Sequence, residues 1–121
     1  MSLQSKRIGI DGEKLASNFL IKRGFKIVQK NFVCKLGEID IIAQKDHKIH
    51  FIEVKTRIGL SKGQPYEAVN SNKLHHIKNT IEYYLLKNNI KNSKLSIDVV
   101  SIVIDKDNHH ERITLYENIT L

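Results

Sequence analysis

Residues 95–104 (LSIDVVSIVI) are apolar at both even and odd positions, the pattern of a strand covered on both of its faces. A sheet containing such a strand needs helices packed against it, and two segments have the spacing to supply them. Over residues 6–23, Ile8, Gly12, Leu15, Ala16, Phe19 and Leu20 fall in one arc at about 100° per residue, and Gly24 supplies the stop. Glycine costs helix stability, so Gly9 and Gly12 beside Ala16 imply that another backbone approaches this face. Farther on, Asn70, Ser71 and Asn72 offer N-caps to a second helix. Its Leu74, Ile77, Ile81, Tyr84 and Leu85 form one apolar stripe, and Asn88 and Asn89 end it.

Between the helices, residues 25–33, 38–43 and 49–56 are rich in Ile, Val and Phe and are separated by the polar turns 34–37 and 45–48. Turns this short imply an antiparallel meander. A loop at 58–64, closed by Pro65, carries two glycines and a serine and separates the strands from the second helix. Residues 112–116 alternate like a shorter terminal strand. The expected order is α-β-β-β-α-β-β, an α/β chain with a mixed sheet, because the second helix can return the chain to a strand parallel to an earlier one. At 121 residues this is one domain, 1–121.

Twenty Lys plus Arg against thirteen Asp plus Glu leave a formal charge of +7, which favours a polyanionic partner, nucleic acid first and an anionic membrane surface second. Cys34 is the single cysteine, so no intramolecular disulfide and no cysteine zinc cage can form, which suits a reducing cytoplasm. Residues 1–14 lack the continuous apolar core of a signal peptide, and no run approaches the roughly 20 apolar residues of a membrane span.

Carboxylates inside apolar strands carry the chemistry. Asp40 interrupts Glu38-Ile39-Asp40-Ile41-Ile42, and Glu53 interrupts Phe51-Ile52-Glu53-Val54, with Lys55 on the same strand face as Glu53. If the intervening turn is tight, Asp40 lies within reach of Glu53, and the pair can share a hard divalent cation. Mg²⁺ is commonly held by one or two carboxylates plus waters and phosphate oxygens. A lysine beside a metal-bridged phosphate stabilises developing charge or orients a water, which makes phosphodiester hydrolysis the candidate reaction. Glu13, at the edge of the first helix's apolar arc, can point inward at the sheet. The same residues also suit a second reading, in which Glu53 and Lys55 form a structural ion pair.

Gly12-Glu13 with Ala16 and Leu20, Asn31-Phe32, Gly37-Glu38-Ile39-Asp40-Ile41-Ile42-Ala43, Phe51-Ile52-Glu53-Val54-Lys55-Thr56-Arg57, Lys73 and Asp98-Val99-Val100 together resemble the YraN-like family of small bacterial proteins, over nearly the whole chain. That family is similar to archaeal Holliday-junction resolvases and, more distantly, to restriction endonucleases. The resemblance implies a restriction-endonuclease-like three-layer core with the active site on the sheet. Asp40 and Glu53 then match metal ligands, Lys55 the catalytic lysine and Glu13 an additional helix carboxylate that completes or orients the metal shell, while Glu38 is a feature of the family alone. Arg57 and Lys73 become nucleic-acid contacts largely through this match.

The resulting expectation is a Mg²⁺- or Mn²⁺-dependent endonuclease-like protein that hydrolyses DNA phosphodiesters at branched or Holliday-junction structures, with a homodimer as a corollary. The rival is a non-catalytic nucleic-acid-binding module acting with a partner nuclease or helicase. Gln64 is followed by Pro65, Tyr66, Glu67 and Ala68, so the Gln-x-x-x-Tyr signature of some related exonucleases is missing. The six histidines, including the adjacent pairs His75-His76 and His109-His110, are expected on the surface because neighbouring residues diverge and do not chelate one ion. Tyr84 is expected in the core, and Asp98 is either a buried structural carboxylate or a functional one.

Overall fold

The computed structural model describes residues 3–59, 63, 69–105 and 110–119, with residues 3–10 as backbone only. The elements follow the expected order: α1 (Leu3–Lys22), β1 (Lys26–Cys34), β2 (Gly37–Lys45), β3 (Lys48–Ile58), α2 (Ser71–Lys87), β4 (Lys94–Asp105) and β5 (His110–Tyr116). The strands form one sheet in the order β1-β2-β3-β4-β5. Every neighbouring pair is antiparallel except β3 and β4, which run parallel because α2 carries the chain back between them.

Local chemistry explains the boundaries. α1 ends at Gly24, whose φ of 91° suits a residue without a Cβ, and the amides of Gly24 and Phe25 return to the carbonyls of Ile21 and Leu20. The β2–β3 turn is Asp46-His47, with φ of 52° and 61°, the left-handed pair that matches the twist of a two-residue hairpin. Of the three candidate caps for α2, Asn70 is the one used: its side chain accepts from the Lys73 amide at 3.0 Å. Asn88 and Asn89 end the helix as expected.

Two apolar clusters occupy opposite faces of the sheet. Ala16 and Leu20 of α1 pack with Ile41, Ala43, Ile52, Val100 and Ile102, while Ile77, Ile81 and Tyr84 of α2 pack with Phe32, Ile39, Ile42 and Phe51. The central strands are thus covered on both sides in three layers, as the two-sided apolar pattern of residues 95–104 demands. Tyr84 is a core residue, its ring edge-on to Phe32 and Phe51. Among the described residues no helix is long and apolar enough to cross a membrane.

The close approach anticipated at Gly12 exists, but the neighbour is a side chain rather than backbone. A Cβ built on Gly12 would overlap Thr56 Oγ1 of β3. Gly12→Ala is therefore expected to destabilise the protein by about 1–3 kcal/mol through overpacking, although alanine is the better helix former. Adding Thr56→Ala removes the overlapped atom and should recover most of the loss in a urea titration. Gly9 lies outside the residues with described side chains.

Candidate functional site

Paired β1 and β2 bend together where the site begins. Between the partners Lys30–Ile41 and Phe32–Ile39 lie Asn31 and Asp40. Asn31 sits at φ 52°, a left-handed conformation that Asn tolerates better than a β-branched residue. Strict alternation breaks here: Ile39 and Ile42 belong to the α2-side cluster, whereas Ile41 and Ala43 belong to the α1-side cluster. The β2–β3 partners also stop at Ile41–Ile52, and the next free amide, that of Val54, donates to Asp40 Oδ2 at 2.8 Å. The carboxylate thus replaces a ladder bond and is fixed on the edge of β3.

On β3, Ile49, Phe51, Glu53, Lys55 and Arg57 share the α2-facing side by alternation. Glu53 is only 5% exposed, and its Oε1 receives both Lys55 Nζ and Lys73 Nζ at 3.3 Å. Lys73 reaches it from the first turn of α2, the turn that Asn70 caps. Glu13 approaches from α1, and with the Asn31 amide oriented to donate, its nitrogen lies 3.1 and 3.2 Å from the two Glu13 oxygens. Burial, then the charge of Glu53, then those of Glu13 and Glu38, push the Asp40 carboxyl up to about 7, against the Val54 amide, which pulls it down.

The tight turn that the sequence required for this meeting is present, and Glu13, Asp40, Glu53, Lys55 and Lys73 come to one region of the sheet. Glu38 is exposed, yet its charge still acts on Asp40. Arg57 is two residues beyond Lys55, with a buried Nε that has no hydrogen-bond partner among the described residues. The loop residues Lys62, Gln64, Pro65 and Tyr66 lie outside the described residues, as does His109. Among the described residues no three His, Cys, Asp or Glu side chains converge to enclose one ion. The donor set suits a hard cation held by two carboxylates and completed by water and phosphate oxygens, the usual habit of Mg²⁺. Crowded carboxylates with one carboxyl pushed up also mark a place where an added cation relieves repulsion.

Two features escaped the sequence reading. Asn31, present in the family pattern but given no role, kinks β1 and holds Glu13; an Asn within an apolar strand run is the signal that was available. The surface expectation for the histidines fails at His50, which is 5% exposed. Its Nδ1 donates to Asp98 Oδ2 at 2.6 Å, and Asp98 Oδ1 accepts from the Ser96 hydroxyl and, at 3.0 Å, from the Asn118 amide. Asp98 is fully buried, and parity places this network on the α1 side of the sheet, away from Glu53 and Lys55. His47, His75, His76 and His110 are exposed, and Cys34 is a half-buried free thiol.

The family model described as Uncharacterised protein family UPF0102 matches residues 12–102, which include every candidate site residue. A UPF0102 protein of Caldicellulosiruptor bescii is 46% identical over 114 residues, covering 93% of this chain and 96% of its own length. One from Clostridium perfringens is 45% identical over 102 residues, 84% of each chain, and one from Clostridium novyi is 40% identical over 114 residues, 94% of this chain and 95% of its own. With the resemblance of its motifs matched by likeness over most of its length, the chain belongs to the UPF0102, or YraN-like, family.

Proposed function

We propose that this protein is a Mg²⁺- or Mn²⁺-dependent endonuclease-like hydrolase of DNA phosphodiesters, with branched, four-way-junction DNA as its substrate class. The observation that carries this reading is the joint placement of Asp40 and Glu53 where the β2–β3 ladder ends, with Lys55 on Glu53. Asp40 and Glu53 would hold the cation. When bound, it would polarise a phosphoryl oxygen and lower the pKa of a coordinated water.

The remaining roles belong to the chain's own side chains. Lys55, anchored on Glu53, presents its ammonium to charge developing on the scissile phosphate. Lys73, the more exposed of the two lysines on Glu53, is the one free to move to a flanking phosphate. Arg57 extends the same positive face along β3, and Glu13 with Asn31 orients water or ligand on the α1 side.

Cleavage of matched linear and four-way-junction DNA tests the proposal. Wild type is expected to cut the junction with Mg²⁺ or Mn²⁺ and to stop with a chelator, and Lys55→Ala should lose roughly a hundredfold or more in rate. Cleavage that ignores the chelator would overturn the metal assignment. Tight junction binding with no cleavage under any cation would favour the binding module that serves a partner nuclease or helicase.

A further inference from the structure

We infer that the hairpin end of the sheet is a second nucleic-acid contact surface, one that grips the phosphate backbone of a duplex away from the Asp40–Glu53 site. The inference rests on the proposal that the partner is nucleic acid, and not on catalysis. Lys45 and Lys48 are direct partners closing the β2–β3 hairpin, and Lys48 is in turn the register partner of Lys94 in the parallel pair. By alternation from Ala43, His50 and Ser96, all three lie on the α1 side of the sheet. Three adjacent strands therefore set like charges side by side across about 10 Å.

Like charges directly opposite each other destabilise a sheet unless something neutralises them. Among the described residues no internal carboxylate neutralises them. Asp46 lines the same cleft, yet among the described residues no carboxylate forms an ion pair with Lys26, Lys45, Lys48 or Lys94. The cleft, of about 470 Å³, is lined by Lys26, Lys45 and Lys48 with His47, large enough to seat phosphate groups.

Two of these lysines are also more ordered than a freely solvated side chain requires. Lys45 and Lys48 are half-buried, and Lys45 Nζ sits 4.9 Å from the centroid of the Phe25 ring. The left-handed Asp46-His47 turn fixes the spacing of the residues that flank it. A bilayer is the poorer partner, because the one large apolar residue lining the cleft, Ile49, is buried and offers nothing to insert. Along β3 the row begins about 17 Å from Glu53, so the two surfaces contact different stretches of backbone.

The test is fluorescence anisotropy with a labelled DNA duplex of about three helical turns, over a salt series. Wild type is compared with Lys45→Gln/Lys48→Gln/Lys94→Gln and with Lys55→Ala/Lys73→Ala. The row variant should bind about tenfold or more weakly, with the magnitude of its log K against log salt slope lower by about 2–3. The matching Lys→Arg triple variant should bind like wild type, and circular dichroism checks that all variants are folded. A folded row variant that binds like wild type at every salt overturns the inference. If only the Lys55/Lys73 variant loses binding, the candidate site keeps its nucleic acid and the second surface is refuted. If wild type binds no duplex, the second surface is refuted while junction cleavage decides the proposed function separately, and capture by vesicles containing anionic lipid that the row variant loses would identify the patch as a membrane contact.

Discussion

Replacing Asp98 with alanine is expected to remove about 3–5 kcal/mol of folding stability. The carboxylate is fully buried and satisfies three donors from three places: His50 Nδ1 on β3, the Ser96 hydroxyl on β4 and the Asn118 amide after β5. Alanine would strand all three in a water-poor interior, where each unmet donor costs about 1–3 kcal/mol. Asn118 would also lose one of the bonds that fasten the segment after β5, leaving the Ile119 amide on the Ile97 carbonyl to hold it. A domain of this size has only about 5–15 kcal/mol in hand, so the alanine variant sits close to unfolding. Asp98→Asn keeps the shape and one acceptor and should lose less. Urea unfolding of the two variants checks the ranking: an alanine variant as stable as wild type would mean that the network contributes no net stability.

Asp40→Asn is expected to separate stability from activity. Asparagine still offers an oxygen to the Val54 amide but removes the charge that Glu53, Glu13 and Glu38 crowd. The Asp40 carboxyl, about 7 in the fold against 3.8 unperturbed, keeps a proton that the unfolded chain has already released between those values. Stability therefore falls as pH rises through that window, by an amount on the order of a few kcal/mol once the pH exceeds 7. Without divalent cation the asparagine variant should melt above wild type at pH 8, and the advantage should vanish towards pH 4. Adding Mg²⁺ should raise the wild-type Tm at pH 8 and leave the variant's Tm unchanged, because only a ligand that binds the fold shifts it. Junction cleavage should fall at least a hundredfold in the same variant. A variant less stable than wild type at pH 8 would refute the charge crowding, and retained cleavage would remove Asp40 from the metal site.

The gain in stability and the loss of activity would share one cause. Burying Asp40 against another carboxylate costs folding energy, and the proposed cation is what offsets that cost. Lys55 and Lys73 pair with Glu53, which is why Glu53 is tolerated at 5% exposure.

Much of the architecture was legible in residue order alone, because helix and strand periods are local. The arc of Leu15, Ala16, Phe19 and Leu20 and the stripe of Leu74, Ile77, Ile81 and Tyr84 become the two helix faces that cover the sheet. Residues 95–104 become the doubly covered β4, parallel to β3. Short polar turns made the meander readable, and carboxylates inside apolar strands marked Asp40 and Glu53 as candidates.

What depends on pairing was not legible. Strand alternation predicts faces only while it is unbroken, and the Asn31–Asp40 bend interrupts it at the candidate site. His50 and Asp98 are 48 positions apart and meet only because β3 and β4 lie side by side in parallel, so the buried structural carboxylate was legible at Asp98 but its partner was not, and His50 was expected on the surface. The register that sets Lys45, Lys48 and Lys94 abreast, and the helix geometry that swings Lys73 onto Glu53, are likewise long-range. Local periodicity decides which residues are inside, since burial follows from each element's own repeat. Which charges face one another is decided by the tertiary structure, because electrostatic contact depends on distances that no local repeat contains.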